Sequence, residues 1–171
     1  MADDFTRLPD LASRRLGGSV VYANDELFAE RENLIRPEAP AYSTYTFGHK
    51  GQVYDGWETR RRREPGHDWA VLELGAAGRI DEVVVDTAHF KGNYPDRCFL
   101  QAAAEASGSP EEIAAQSEAW PVLLPEMKLE ADKVHVFRDG LADLGPVRFV
   151  RLNIVPDGGV SRLRLIGRVA R

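Results

Sequence analysis

From Asp68 onward, short β-patterned stretches follow one another with turn signals between them, and only one segment has helical character. Asp68 to Leu74 sets Ala70, Leu72 and Leu74 against Trp69, Val71 and Glu73, and Arg79 to Asp86 carries Ile80, Val83, Val84 and Val85. Arg97 to Ala104, Trp120 to Leu124, Val134 to Phe137, Val147 to Val155 and Arg162 to Val169 complete the set, and the last two alternate clearly. Ser19-Val20-Val21-Tyr22, after Gly17-Gly18, opens the patterned region. A half-apolar strand buries its face only against a second layer, so seven or eight of them at this spacing predict an all-β fold, a β-sandwich. The helical exception is Pro110 to Gln116, where Ser109 is placed to cap and Glu111 and Glu112 suit the first turn.

At 171 residues the chain suits one domain, which would bury roughly 70% of its unfolded surface. Residues 1–15 read as a lead-in, 16–168 as the sandwich, and 24–52 as a loop-rich connection long enough to be functional or packed by its own aromatics. There is no run of about 18 apolar residues and no signal-peptide pattern, so a cytoplasmic location is expected. A net charge of −5 disfavours nucleic acid and anionic membranes as partners. The single cysteine, in Cys98-Phe99-Leu100, is expected to be a buried small hydrophobe. His49, His67, His89 and His135, with Glu58 and Asp86, could in principle ligate a metal, but no H-x-x-x-H or H-E-x-x-H spacing and no cysteine pair occurs. No cofactor is predicted, and a divalent ion such as manganese has no support in the spacing. Phosphate-cradling loops, dinucleotide fingerprints and G-x-S-x-G elbows are absent from the sequence.

Three runs put charge where a loop has no packing need for it. In Asp55-Gly56-Trp57-Glu58-Thr59-Arg60-Arg61-Arg62-Arg63, an indole stands among carboxylates and guanidinium forks of the kind that grip a small anion. The bland alternative is a solvated basic turn, which suits Arg62 and Arg63 best. In Asp86-Thr87-Ala88-His89-Phe90-Lys91-Gly92-Asn93, alternation continued past the strand would set Asp86, Ala88 and Phe90 opposite Thr87, His89 and Lys91, with acid, base and cation at one strand end. A β-turn at Lys91-Gly92-Asn93 with a hydrogen-bonded histidine is the plainer reading. Pro156-Asp157-Gly158-Gly159-Val160-Ser161-Arg162 looks like a hairpin-type connection, with Asp157 and Arg162 as its functional candidates.

Read in order, these runs resemble the allantoicase repeat family from Leu16 to Arg168. The match includes Gly17-Gly18, Asn24-Asp25-Glu26-Leu27-Phe28-Ala29, Glu32-Asn33-Leu34 before Pro37, the 55–61 and 86–93 runs, Asp68-Trp69, and Pro156 through Gly167. The resemblance implies a galactose-binding-domain-like jelly roll and hydrolysis of allantoate to ureidoglycolate and urea. It implies Glu58, Asp86, His89 and Lys91 as catalytic candidates, and Asp55, Trp57, Arg60, Arg61, Asn93, Asp157 and Arg162 as substrate-binding ones. Within that set, Arg60, Arg61 or Arg162 would take the substrate carboxylate, Glu58 or Asp86 would act as base, and His89 or Lys91 would serve the leaving group. Allantoicases usually carry two such repeats in a chain, so association with copies of itself or with a second repeat is expected. The rival reading is a non-catalytic ligand- or sugar-binding module using Tyr42, Tyr45, Phe47 and Tyr54 as stacking platforms. A third is a regulatory repeat without activity.

Overall fold

In a computed structural model of the chain, the described residues are 8–41, 47–48, 51–52 and 54–171. The strands are β1 (Ser19–Ala23), β2 (Phe47–Gly48), β3 (Gly51–Gln52), β4 (Trp57–Glu58), β5 (Asp68–Asp86), β6 (Arg97–Ala103), β7 (Val122–Lys128), β8 (Val134–Phe137), β9 (Val147–Val155), β10 (Gly159–Val160) and β11 (Arg162–Val169). Among the described residues one α-helix, α1 (Pro110–Ser117), interrupts them. Ser109 accepts from the Glu112 amide while the Glu112 carboxylate accepts from the Ser109 amide, so the cap read in the sequence is a reciprocal capping box.

β5 organises the molecule. Its first half pairs with β1 and β9, and β9 continues to β6 and β7; its second half pairs with β11 and β8. All these pairings are antiparallel, and the two layers share one long strand. The sequence predicts two strands here, Asp68 to Leu74 and Arg79 to Asp86. They are one, because Gly75-Ala76-Ala77-Gly78 carries the chain across from one layer to the other instead of ending it, with a register shift between Glu73 and Gly78. Gly75 also lies so close to the preceding turn that a Cβ there would stand 2.0 Å from the Leu16 carbonyl oxygen.

Ala70, Leu72 and Leu74 of β5, Leu100 and Ala102 of β6, Val150 and Leu152 of β9, and Leu163 and Leu165 of β11 fill the space between the layers. On the outer face of the larger sheet, Val71 and Phe149 meet Ile113 and Trp120 beneath α1. Burial of this continuous core is what commits the strands to their register, since a one-residue slip would turn every apolar side chain outward.

The 156–162 run is not a hairpin. β9 and β11 do not pair with each other; each pairs with β5, and between them β10 pairs antiparallel with β4. Two-residue strands such as β4 and β10 are too short to leave an alternation pattern in sequence, which is why the run reads as a turn.

Candidate active site

β4 presents the first charged run. Trp57 is fully buried in the core, its indole Nε1 donating to the Asp25 carbonyl at 2.7 Å. Its neighbour Glu58 sits between two backbone partners: its amide donates to the Ala29 carbonyl at 3.2 Å, and it stands opposite Gly159 of β10. Asn93, from the second run, donates through Nδ2 to Glu58 Oε2. The Asn93 carbonyl in turn accepts from the Gly159 amide at 2.7 Å. Gly158 donates to Thr59 Oγ1 at 3.0 Å, and the Ser161 amide and hydroxyl both donate to the Asp86 carbonyl, at 2.7 and 2.8 Å. Three stretches far apart in sequence therefore form one hydrogen-bonded assembly, with Glu58 and Asn93 at the joint.

Phe90 is the packing centre of that assembly. It is fully buried, and a Cβ on Gly159 would fall 2.1 Å from its ring. Gly159→Ala is expected to cost about 1–3 kcal/mol through overpacking and to displace the Asn93 carbonyl from the Gly159 amide. A urea-denaturation midpoint unchanged from wild type would contradict that packing.

Glu58 is only 8% exposed, and burial raises its carboxyl above the ordinary glutamate value, opposed in part by the hydrogen bond from Asn93. A carboxyl pushed upward and held by an amide donor is suited to taking and returning a proton.

The arginines follow directly. A depression of about 560 Å³ is lined by Asn24, Asp25, Phe28 and the stretch from Arg60 to Glu64. Arg60 Nε pairs with Asp25 Oδ2 at 3.0 Å, and the Arg60 amide donates to Asp25 Oδ1 at 3.2 Å. Arg61 and Arg63 are exposed. Arg62 instead is tied down: Nη1 to Asp68 Oδ1 at 2.7 Å, Nη2 to the Pro65 carbonyl at 3.1 Å, and its amide to Asp157 Oδ2 at 3.0 Å. Asp157 thus anchors the arginine stretch to the third run. Asp25 and Asp68, which the sequence does not single out as site residues, set the direction of Arg60 and Arg62. Asp25 stands in the Asn24-Asp25-Glu26 landmark, but nothing local signals a partner 35 positions later.

Arg162 and Asp55 lie behind this surface. Arg162 has no exposed area; Nη2 reaches Asp55 Oδ2 at 2.9 Å, Nε the Glu38 carbonyl at 2.9 Å, and Nη1 the carbonyls of Ser161 and Asp55. Asp55 also accepts from Arg36 and from the Ala41 amide. Burial pushes the Asp55 carboxyl upward, but the Arg162 and Ala41 hydrogen bonds and the charges of Arg162 and Arg36 outweigh it and hold the carboxyl below its ordinary value. This pair joins the ends of the first and third runs to the 36–41 segment.

The second run departs from simple alternation. β5 ends at Asp86, whose Oδ1 accepts from the Ala88 amide at 2.8 Å, and the Phe90 amide returns to the Thr87 carbonyl at 2.9 Å, closing a turn. His89 has φ of 73°, so it does not stay on the Thr87 side. Its amide donates to Asp132 Oδ1 at 2.7 Å. Its Nε2 lies 3.2 Å from the Pro40 carbonyl, and because a carbonyl only accepts, Nε2 carries the hydrogen. Lys91 is exposed, two residues before Asn93.

Among the described residues no group of three or more His, Cys, Asp or Glu gathers to hold a metal ion, and His49 lies outside them. Cys98 is buried and its thiol is pushed up to about 12. Of the proposed stacking aromatics, Tyr54 leans on Phe90 with ring centroids 5.1 Å apart; the side chains of Tyr42, Tyr45 and Phe47 lie outside the described residues. Among the described residues no helix is long and apolar enough to cross a membrane.

The profile of the allantoicase repeat matches residues 9–170. The chain belongs to the allantoicase family. It is 52% identical over 158 residues to a probable allantoicase 1 of Burkholderia mallei, covering 92% of this chain and 44% of that protein. A solved allantoicase structure superposes with a TM-score of 0.81 at 34% identity, covering 94% of this chain and 48% of that one. This allantoicase repeat thus spans about half the length of the curated relatives it matches. The jelly-roll architecture extends further: a family 32 CBM from C. perfringens, solved with galactose, matches with a TM-score of 0.60 over 90% of this chain and 96% of that one. At 10% identity that likeness shows the fold alone.

Proposed function

We propose that this chain carries the chemistry of allantoate hydrolysis, giving ureidoglycolate and urea, at the surface where its three charged runs meet. The observation that carries the reading is the buried Glu58–Asn93 pair at that joint, with Arg60 two residues from Glu58 on the edge of an arginine-lined depression. The reaction breaks one C–N bond at the central carbon. Water supplies the new hydroxyl, and the departing ureido nitrogen takes up a proton to leave as urea.

Glu58 is assigned the proton transfer, because its environment favours the protonated form more than water does and Asn93 fixes its orientation. Arg60 and Arg61 are assigned the substrate carboxylate, since their guanidinium groups reach solvent. Lys91, exposed on the Asn93 run, is the cation assigned to the departing ureido group, and His89, whose Nε2–H donates to the Pro40 carbonyl, is assigned to positioning on that run. Arg162 and Asp55 are assigned to positioning, their donors and acceptors being spent on each other and on the backbone. Asp157 and Asp86 also position, through Arg62 and Ala88. Association with a second repeat or a second copy, and a cytoplasmic setting, belong to the same proposal.

Urea release from allantoate by the purified chain tests the activity, and no release above the buffer rate would contradict it. Replacing Arg60 by alanine is expected to raise KM about tenfold with kcat little changed, because a carboxylate clamp acts on ground and transition states alike. A fall in kcat at constant KM would move Arg60 from binding into the chemistry.

A further inference from the structure

The outer face of β5 and β9 carries a polar network that the site above does not use. Alternation puts Arg151 and Asn153 of β9, and Trp69 of β5, on the side turned away from Val150, Leu152, Ala70 and the rest of the core. Asn153 is saturated: Oδ1 accepts from Arg151 Nε at 2.8 Å and from His67 Nε2 at 2.9 Å, while Nδ2 donates to Gln101 Oε1 and the Phe99 carbonyl. Gln101 passes the network on to the carbonyls of Glu118 and Trp120, each at 2.9 Å. Because Asn153 Oδ1 only accepts, His67 Nε2 carries the hydrogen, and Nδ1 of the neutral ring is an acceptor.

Arg151 is the odd member. It is 6% exposed, its guanidinium lies 4.2 Å from the centre of the Trp69 ring, and Trp69 is stacked on Tyr22 at 5.4 Å. Nη1 donates to Ser117 Oγ at 2.9 Å, yet among the described residues Nη2 donates to nothing and no carboxylate is within ion-pair distance. Arg162, likewise buried, has Asp55 at 2.9 Å. A buried guanidinium without a counter-charge is costly, and burial pulls Arg151 below its ordinary value, opposed only by the more distant charge of Glu118. A cleft of about 470 Å³ opens over these groups, with Arg151, His67, Trp69 and Tyr22 along it and Glu111 and Glu118 contributed from α1 and its end. Arg62, which also lines it, is already engaged by Asp68.

We propose that this cleft is a second binding site, for a small carboxylic acid that also bears N–H donors. The carboxylate takes the open Nη2 of Arg151, supplying the missing counter-charge. The N–H groups face His67 Nδ1 and the carboxylates of Glu111 and Glu118, which would repel a bare anion and so select for a ligand with both features. The indole stack of Trp69 and Tyr22 gives the ligand a rigid wall.

The test is an NMR titration of the full chain with hydantoate, a ureido acid, and with acetate, a carboxylate without N–H donors, following the indole N–H of Trp69 assigned through Trp69→Phe. A saturable shift at Trp69 with hydantoate, at least tenfold tighter than with acetate and weakened at least tenfold in Arg151→Gln, is the expected result. The exposed Glu111→Gln/Glu118→Gln double variant should lose the preference for hydantoate over acetate while keeping the fold, so the proposal stays testable if Arg151→Gln does not fold. No saturable shift at Trp69, equal response to both acids, or an unchanged preference in the double variant would overturn it. A response confined to Trp57, beside Glu58, would overturn the second site while leaving the allantoate reading intact.

Discussion

Replacing Glu58 by glutamine is expected to lower urea release from allantoate by about a hundredfold or more, with the fold retained. Glutamine keeps nearly the volume of the side chain and an oxygen for the Asn93 amide, and replaces the other carboxyl oxygen by an NH2, so the group no longer takes up or releases a proton in this pH range. The stability change has a definite sign. Burial raises the Glu58 carboxyl above 4.5, so the folded protein binds a proton there that the unfolded chain releases, and Glu58 works against folding increasingly as pH rises above that value. The glutamine variant should therefore gain on wild type in thermal stability as pH rises from 4.5 toward neutrality, while losing activity throughout. Such an opposition between stability and turnover is what a purely structural glutamate would not produce. Near-normal urea release from the variant would remove Glu58 from the chemistry.

The second large effect is expected at Arg162. Arg162→Met takes from the half-buried Asp55 one of its two guanidinium partners, leaving it Arg36 and the Ala41 amide, and strands the Glu38, Asp55 and Ser161 carbonyls, all of which the fully buried guanidinium now satisfies. Breaking a buried pair from one side costs about 3–5 kcal/mol. For a domain of this size that corresponds to a fall in Tm of roughly 6–20 °C. Lysine should not restore it, because a single ammonium cannot reach four oxygens in the plane of a fork. The contribution also has a pH signature: Asp55 is held below its ordinary 3.8, so the stabilisation from the pair is complete above that value and fades only as pH falls below it. The Tm difference between wild type and Arg162→Met should accordingly shrink in acid. An unchanged Tm at neutral pH would show that Arg162 does not hold the first and third runs together.

The strands with well-formed alternation, β9 and β11, and the capped helix α1 are legible in the sequence because each follows from a periodicity or a cap within a few residues. Continuity of β5 is not, since Gly75 to Gly78 looks like a terminator and only the shared pairing with both layers makes it a crossing. The site is legible in composition and not in geometry. The three charged runs are conspicuous, but whether an arginine reaches solvent or is spent on backbone oxygens depends on partners more than a hundred positions away, as Arg162 with Asp55 and Glu38 illustrates. Asp25 and Arg36 escape notice for the same reason: their importance comes from what lies across the fold, Arg60 and Asp55, and no local pattern marks it. Arg151 reads in the sequence as an ordinary outward residue of an alternating strand, and its burial comes from α1 lying over that face.

The proposal that the three runs build one allantoate site around Glu58 is tested by a crystal structure of Glu58→Gln soaked with allantoate. The substrate carboxylate should lie on Arg60 or Arg61, with the central carbon and a ureido nitrogen beside residue 58 and Asn93. Allantoate bound on another face of the molecule, with the 55–63, 86–93 and 156–162 segments untouched, would contradict it.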